Sequence, residues 1–394
     1  MYFSVSNISL LQKLRLLHRI IKSNKNSEHF IFEIFGEKLI IMFSDSDSEN
    51  IIKTEIQVYV KKYSKEKVSV HSQLIIDILS TFLDEIILIK FIKEKKILNI
   101  CSKQGNYDIP ILLWDKNHIL NDFFKNLKEI EKETKKITIF SNVFFNILKK
   151  TSFIIENKEE LPSVINGVFF QFSSERSTFV ATDTYKLVKY TINHIQLDQL
   201  IEFILPKKSI EILKKFLLVN KPNKKSKVTI EYRNKIDIKF HFMNETFSCL
   251  LSNKKYPNYN SVIPIHKYDV LFIINRVLFL NSIKRISLLS NLNKKKTSFI
   301  RFYFDKKLKI YEEYDENIYS FLTIQYEFID NSLQKKEIKI GFNSKFLIEI
   351  LSSFNEDFVS FELYTSNKVG ILRPINNQNK RKESILILIM SVII

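Results

Sequence analysis

The acidic run Asp45, Asp47 and Glu49 offers carboxylates of the kind that hold a hard divalent cation in metal-dependent nucleases. It follows the apolar run Lys38 to Met42, a position that equally suits the polar end of a strand, and no second ligand cluster accompanies it. Thr182-Asp183 pairs a hydroxyl with a carboxylate, yet the seven histidines are scattered and complete no Ser-His-Asp or Cys-His set. With five glycines in 394 residues, neither a phosphate-cradling loop nor a dinucleotide fingerprint is found. Cys101 and Cys249 fit no metal-ligand spacing and are too few to staple a chain of this length, which points to a reducing cytoplasm. The expectation is a protein with no catalytic centre, no metal and no cofactor.

The remaining chemistry is charge. A formal net charge of +18 favours a polyanionic partner, although the abundance of Ile, Lys, Asn and Phe is also what an A+T-rich coding sequence produces. Distribution is more telling than the total. Gln12, Arg15, Arg19 and Lys22 recur at spacings of three and four, while Leu10, Leu11, Leu14, Leu17 and Ile21 take the other face of the same predicted helix. Basic residues return on later predicted helices at Lys149 and Lys150, at Lys207, Lys208, Lys214 and Lys215, and at Arg276 and Lys284. Taken singly, a lysine on an exposed helix face is ordinary solvated surface. As a recurring stripe they suit contact with duplex phosphates without base readout, and Arg15, Arg19, Lys22, Lys149, Lys150, Lys208, Lys215 and Arg276 are the candidates to face DNA.

The elements that would position these groups are repeated. The string acid-Ile-Leu-x-x-Phe begins at Asp77, returns 134 residues later at Glu211 and 138 residues after that at Glu349. Apolar residues at i, i+1 and i+4 make each copy a short amphipathic helix, capped near His71-Ser72, Pro206 and Asn343-Ser344. Strands follow at Ile86 to Phe91, Val228 to Tyr232 and Val359 to Leu363. A second helix sits earlier in each copy, starting after Phe3-Ser4-Val5, Thr138-Ile139-Phe140 and Phe272-Ile273-Ile274. Two markers with one period predict three α+β domains, each with two helices on antiparallel sheets, over residues 1–125, 126–264 and 265–394. The boundaries fall in the polar stretch Lys116 to Lys135 and near His266 to Tyr268. No signal peptide is read at the N-terminus, and the run Ile385 to Ile394, about half a membrane span, is expected to be a buried strand with no membrane partner.

Several motifs resemble those of bacterial sliding clamps, the beta subunit of DNA polymerase III. Val180-Ala181-Thr182-Asp183-Thr184-Tyr185-Lys186-Leu187 is similar to the family's ATDGHRL segment, and Tyr256-Pro257-Asn258-Tyr259 with Val262-Ile263-Pro264 to its FPDY…VLP. Ile340-Gly341-Phe342-Asn343, Arg285 through Ser290-Asn291, Asn166 to Phe170 and Leu386 to Met390 also resemble family segments in the same order. The first domain matches more weakly, through its Met-x-Phe-x-Val start and Asp47 to Asn50.

The resemblance implies a head-to-tail homodimer that closes as a ring around double-stranded DNA, and partners that include the polymerase III catalytic subunit and an ATP-dependent clamp loader. It implies a peptide groove lined by Ile165, Thr182, Thr184, Tyr185, Lys186, Leu187, Pro257, Val262, Asn343, Phe346, Gly370, Leu388, Met390 and Val392. The subunit interface would bring Tyr107 and Ile109 of one protomer to Leu288 and Leu289 of the other. Departures stand at Thr184-Tyr185-Lys186, where the family has Gly-His-Arg, and at Ser391, where it has Pro. Glycine loss at turns predicts reduced stability. The resemblance makes the chain a non-enzymatic processivity factor; a nucleic-acid-binding protein that forms no ring and a nuclease built on Asp45, Asp47 and Glu49 remain as alternatives.

Overall fold

The computed structural model describes residues 1–21, 29–45, 49–113, 134–156, 161–233, 236–290, 299–305, 307–315, 318–324, 326, 328–330, 338–375 and 382–392. Lys22, Asp47 and the stretch around the 125/126 boundary lie outside them. The chain condenses into two compact units, Met1–Phe145 with Lys208–Asn253 and Asn146–Lys207 with Lys254–Ile394.

Six α-helices occur among the described residues: α1 Asn7–Ile20, α2 Ser72–Ser80, α3 Ser141–Glu156, α4 Lys207–Val219, α5 Arg276–Ser290 and α6 Ser344–Ser353. Each starts directly where a strand ends, and at four of them a side chain just before the helix accepts from a free amide of the first turn. The Ser6 hydroxyl accepts from Ser9 N, His71 Nδ1 from Leu74 N, Asn275 Oδ1 from Leu278 N and Asn343 Oδ1 from Lys345 N. Pro206 precedes α4, and Lys207 N donates to Asn166 O.

A recurrent hydrogen bond marks the repeat. The amides of Asn7, Ser141 and Arg276, at the starts of α1, α3 and α5, donate to Glu85 O, Ser226 O and Asp357 O at 2.9, 2.9 and 2.7 Å. Each acceptor immediately precedes a strand: Ile86–Ile92, Lys227–Arg233 and Phe358–Tyr364. Those strands pair antiparallel with the strands leading into the same helices, Tyr2–Ser6, Thr134–Phe140 and Val270–Asn275. One strand–helix arrangement therefore appears three times in one chain.

The first unit carries a 13-stranded antiparallel sheet and the second a nine-stranded and a four-stranded sheet. In the first unit, Glu245–Leu250 continues the sheet through Asn50–Gln57. In the second, Lys186–Ile192 pairs along its length with Glu383–Met390, so the apolar C-terminal run is the buried strand its composition suggests. The central copy of the repeat is divided between the compact units because its two outer strands are absorbed into these two sheets.

Within the acidic run, Asp45 has a structural use. Asp45 accepts from Asn50 N at 3.1 Å and Asn50 Nδ2 at 2.7 Å and pairs with Lys208 at 2.9 Å, closing the chain between Lys38–Ser44 and Asn50–Gln57. Among the described residues no group of three or more His, Cys, Asp or Glu could hold a metal ion, and no helix is long and apolar enough to cross a membrane.

Candidate functional site

In the second unit the strands Ser177–Thr182, Lys186–Ile192, Glu383–Met390 and Val369–Pro374 lie side by side. Alternation along them sends Leu187, Leu386, Leu388, Val369 and Ile371 to one face. There they form one apolar cluster with Ile165, Phe169, Val180, Ile204, Tyr256 and Tyr364. Leu161, Val164, Tyr259, Ile263 and Tyr268 pack half-buried against it. The segment Tyr256 to Ile263 is held down by Phe169, stacked on Tyr256 at 4.9 Å, and by Lys189, whose ammonium donates to Asn260 and lies over the Tyr259 ring.

Above this floor several apolar groups are left exposed. Tyr185 is 57% exposed, Val262 48% and Met390 37%, and Pro257 is also exposed. Met390 N donates to Tyr185 O at 2.8 Å, and the Tyr185 ring lies 6.0 Å from that of Phe346. The next two amides continue the attachment, Ser391 N to Lys368 O at 2.8 Å and Val392 N to Gly341 O at 2.9 Å. Three successive N–H groups thus tie three separate segments along one rim. The Ser391 bond is one that a proline could not make.

The residues expected to line a groove take distinct positions here. Ile165, Leu187 and Leu388 are buried floor; Tyr185, Val262, Met390 and Pro257 are exposed; Thr182, Phe346 and Val392 are partly covered. Thr184 is exposed with φ at +77°, the left-handed region where the family motif carries glycine. Asn343 is the N-cap of α6. Gly370 is buried, and a Cβ there would lie 2.7 Å from Phe361 Cε2 and 2.9 Å from Phe342 Cζ, so its smallness serves ring packing. Lys186 is buried rather than presented to solvent. Its ammonium lies 3.6 Å from Asp183, contacts the Glu349 carboxylate and sits 4.5 Å from the centre of the Phe346 ring. The part taken by Glu349 was missed from sequence, where it is visible only as a marker of the repeat.

The basic candidates divide in the same way. Arg15 and Arg19 are exposed on α1, Lys149 on α3 and Lys215 on α4. On α1 the buried face is Asn7, Leu10, Leu14, Leu17 and Ile20, so the guanidinium stripe backs onto an apolar one. Lys150 pairs with Glu383 at 3.5 Å and lies over Tyr190, and Lys208 is held by Asp45. Arg276 donates from Nε to Glu356 O and from Nη1 to Leu351 O, so its guanidinium caps backbone carbonyls of its own unit.

Of the expected interface residues, Tyr107 is partly exposed with its ring 5.2 Å from Phe82, whereas Ile109 is buried in its own sheet because its side chain takes the inner face. The stretch Gly105 to Pro110 pairs on one side with Ile97–Ser102, and no strand among the described residues pairs with its other side. Leu288 is 66% exposed on α5, and the Leu289 side chain lies outside the described ones.

Residues 138–258 match the family model of the DNA polymerase III beta subunit central domain, and residues 260–388 that of its C-terminal domain. The chain is 25% identical to the beta sliding clamp of Staphylococcus aureus over 246 residues, 60% of each chain, and 25% identical to that of Staphylococcus epidermidis over 256 residues, 64% of each. The matches thus span less than two thirds of these relatives' length. The fold extends further than the sequence likeness. The DNA polymerase III subunit beta of Pseudomonas aeruginosa superposes with a TM-score of 0.80 at 19% identity over all of both chains. The sliding clamp of Bacillus subtilis gives 0.81 at 18%, covering 100% of this chain and 99% of that one. With two consecutive family models matched and the sliding-clamp fold present over its full length, the chain belongs to the DNA polymerase III beta subunit family.

Proposed function

We propose that this chain is a DNA sliding clamp, a non-catalytic processivity factor that encircles duplex DNA and tethers DNA polymerase III. It comprises three domains, 1–125, 126–264 and 265–394, and two copies joined head to tail close the ring in the bacterial cytoplasm. An ATP-dependent loader opens it.

The observation that carries this reading is the strand–helix unit made three times, whose first helices expose basic groups at Arg15 and Arg19, at Lys149, and at Lys284 and Arg285. Phosphates carry charge and no sequence, so such faces hold a duplex at any register and let it slide. Closure by strand addition fits the open side of Gly105 to Pro110, with Tyr107 beside it and the exposed Leu288 as its counterpart.

The rim of Tyr185, Val262, Met390 and Phe346 above the Leu187 and Leu388 floor supports a peptide groove. Exposed aromatic, Met and aliphatic groups over a packed floor suit a short segment with apolar anchors.

The decisive experiment loads the protein with a clamp loader and ATP onto a nicked circular plasmid and then linearises the DNA. A ring is retained on the circle and lost from the linear form within minutes; equal dissociation from both, with a monomer at every concentration on sizing, would replace the ring with an open binder. Arg15→Ala with Arg19→Ala lowers the slope of log affinity against log salt by roughly 2 per protomer on short duplexes, one unit for each phosphate contact removed.

A further inference from the structure

A buried lysine joins two sides of the groove. The turn Asp183 to Lys186 is built around Asp183, whose Oδ1 accepts from Tyr185 N at 3.0 Å and Lys186 N at 2.7 Å. Thr182 Oγ1 donates to Lys186 O at 2.7 Å, and Asp183 N donates to the same carbonyl at 3.2 Å. Out of this turn the Lys186 side chain, 1% exposed, runs inward to Glu349 and Phe346, which lie three residues apart on α6 and so share a face. Tyr185 stands on the outer side of the turn, against the same Phe346 ring.

A buried ammonium with two carboxylates and a ring face is an expensive way to fill space. Apolar side chains of similar volume commonly match or exceed such a pair in stability, whereas geometry is what a directional charge contact supplies. Asp183 is buried and Glu349 is one third exposed, so the ammonium bridges a carboxylate inside the turn and one on the helix.

We propose that Lys186 is a positioning residue of the groove. Anchored by Asp183 within the turn and by Glu349 on α6, it holds the turn to that helix and sets the spacing of the Tyr185 and Phe346 rings against which an apolar peptide anchor closes. The assignment rests on the groove reading above, and it makes Glu349 part of the groove although Glu349 need not touch the peptide.

The test uses the full-length chain with Glu349→Gln, which keeps the shape of a partly exposed side chain, together with Lys186→Met and the double variant. Two readouts are taken: amide hydrogen exchange at residues 183–186 and 344–348 without peptide, and affinity for a fluorescent panel of synthetic pentapeptides carrying leucine and phenylalanine anchors. Glu349→Gln is expected to raise exchange at 183–186 and to weaken the best-binding peptide about tenfold. Adding it to Lys186→Met is expected to cause no further loss, because the pair is already broken. Lys186→Arg, which keeps the charge, is expected to restore most of the affinity. Peptide affinity unchanged in Glu349→Gln overturns the assignment, as does an additive double variant. If no peptide binds the unaltered protein, the groove reading fails, and the exchange data alone decide whether Lys186 positions the turn.

Discussion

Gly370→Ala separates a packing role from a lining role at a position where family resemblance implies the latter. Gly370 lies opposite Leu363 on one side and Ile389 on the other, within Val369–Pro374. The added methyl would lie at 2.7 and 2.9 Å from Phe361 and Phe342, against an optimal carbon–carbon separation of about 3.5–4.0 Å. Neither ring has room to withdraw. Phe342 and Phe361 are fully buried, their centroids are 5.6 Å apart, and each lies 5.6 Å from Phe302. Overpacking of this kind costs roughly 1–3 kcal/mol, from which about 0.5–1 kcal/mol is recovered because alanine loses less backbone freedom than glycine on folding. A net loss of roughly 1–2 kcal/mol is expected. Native-state hydrogen exchange at Phe358–Tyr364 is the suitable assay, because a chain with two compact units need not unfold in one step. Exchange there should quicken by a factor of about 10, whatever happens to peptide affinity. Wild-type exchange in that strand, with only peptide binding impaired, would refute the packing argument.

Three further substitutions follow from the same geometry. Thr184→Gly relieves a β-branched residue at φ +77°, a conformation costing roughly 1–2 kcal/mol, while the Thr184 N to Thr182 Oγ1 bond survives; a net gain of about 0.5–1 kcal/mol should raise the denaturation midpoint, and a lowered one contradicts it. Ser391→Pro removes the Ser391 N to Lys368 O bond and should cost about 1 kcal/mol, seen as faster exchange of the Val392 amide; unchanged exchange would show that the rim does not depend on it. Tyr190 is buried and donates to Glu383 at 2.6 Å, and burial first, then that hydrogen bond, pushes its phenol well above 10.0. A raised folded pKa contributes stability that is complete below the unfolded value and lost as pH rises toward the folded one. The stability difference between wild type and Tyr190→Phe should therefore shrink as pH rises above 10.0 in urea titrations, and a difference independent of pH would exclude the mechanism.

What could be read from sequence was whatever depends on near neighbours. Ser6, Asn275 and Asn343 cap the helices they precede, and the predicted strands Ile86 to Phe91, Val228 to Tyr232 and Val359 to Leu363 lie within the observed ones, because capping and alternation are local. Leu187 and Leu388 were named only through the family resemblance, as groove-lining residues, and both are buried in the apolar cluster. Lys186 was not: its burial is set by Glu349, 163 residues away, and composition would place a lysine on the surface. Arg276 and Lys208 similarly carry a basic residue's signature while their charges are taken by Leu351 O, Glu356 O and Asp45.

The division into compact units follows from the same limit. Period and motif identify three copies of one arrangement, but which sheet edges join depends on pairing between strands far apart in the chain, such as Phe247 with Ile52 and Val188 with Ile387. Both joints are antiparallel ladders, five and seven residue pairs long, so the outer strands of the central copy satisfy backbone groups that an exposed edge would leave unpaired. The apolar cluster beneath Tyr185 and Met390 is a product of the second joint, since Leu187 and Leu388 face each other only because Lys186–Ile192 and Glu383–Met390 pair in that register. A slip of one residue along this ladder would turn Leu187 to the opposite face and bring Lys186 into its place, which is why the lysine's buried contacts and the apolar cluster around Leu187 and Leu388 are two consequences of one register.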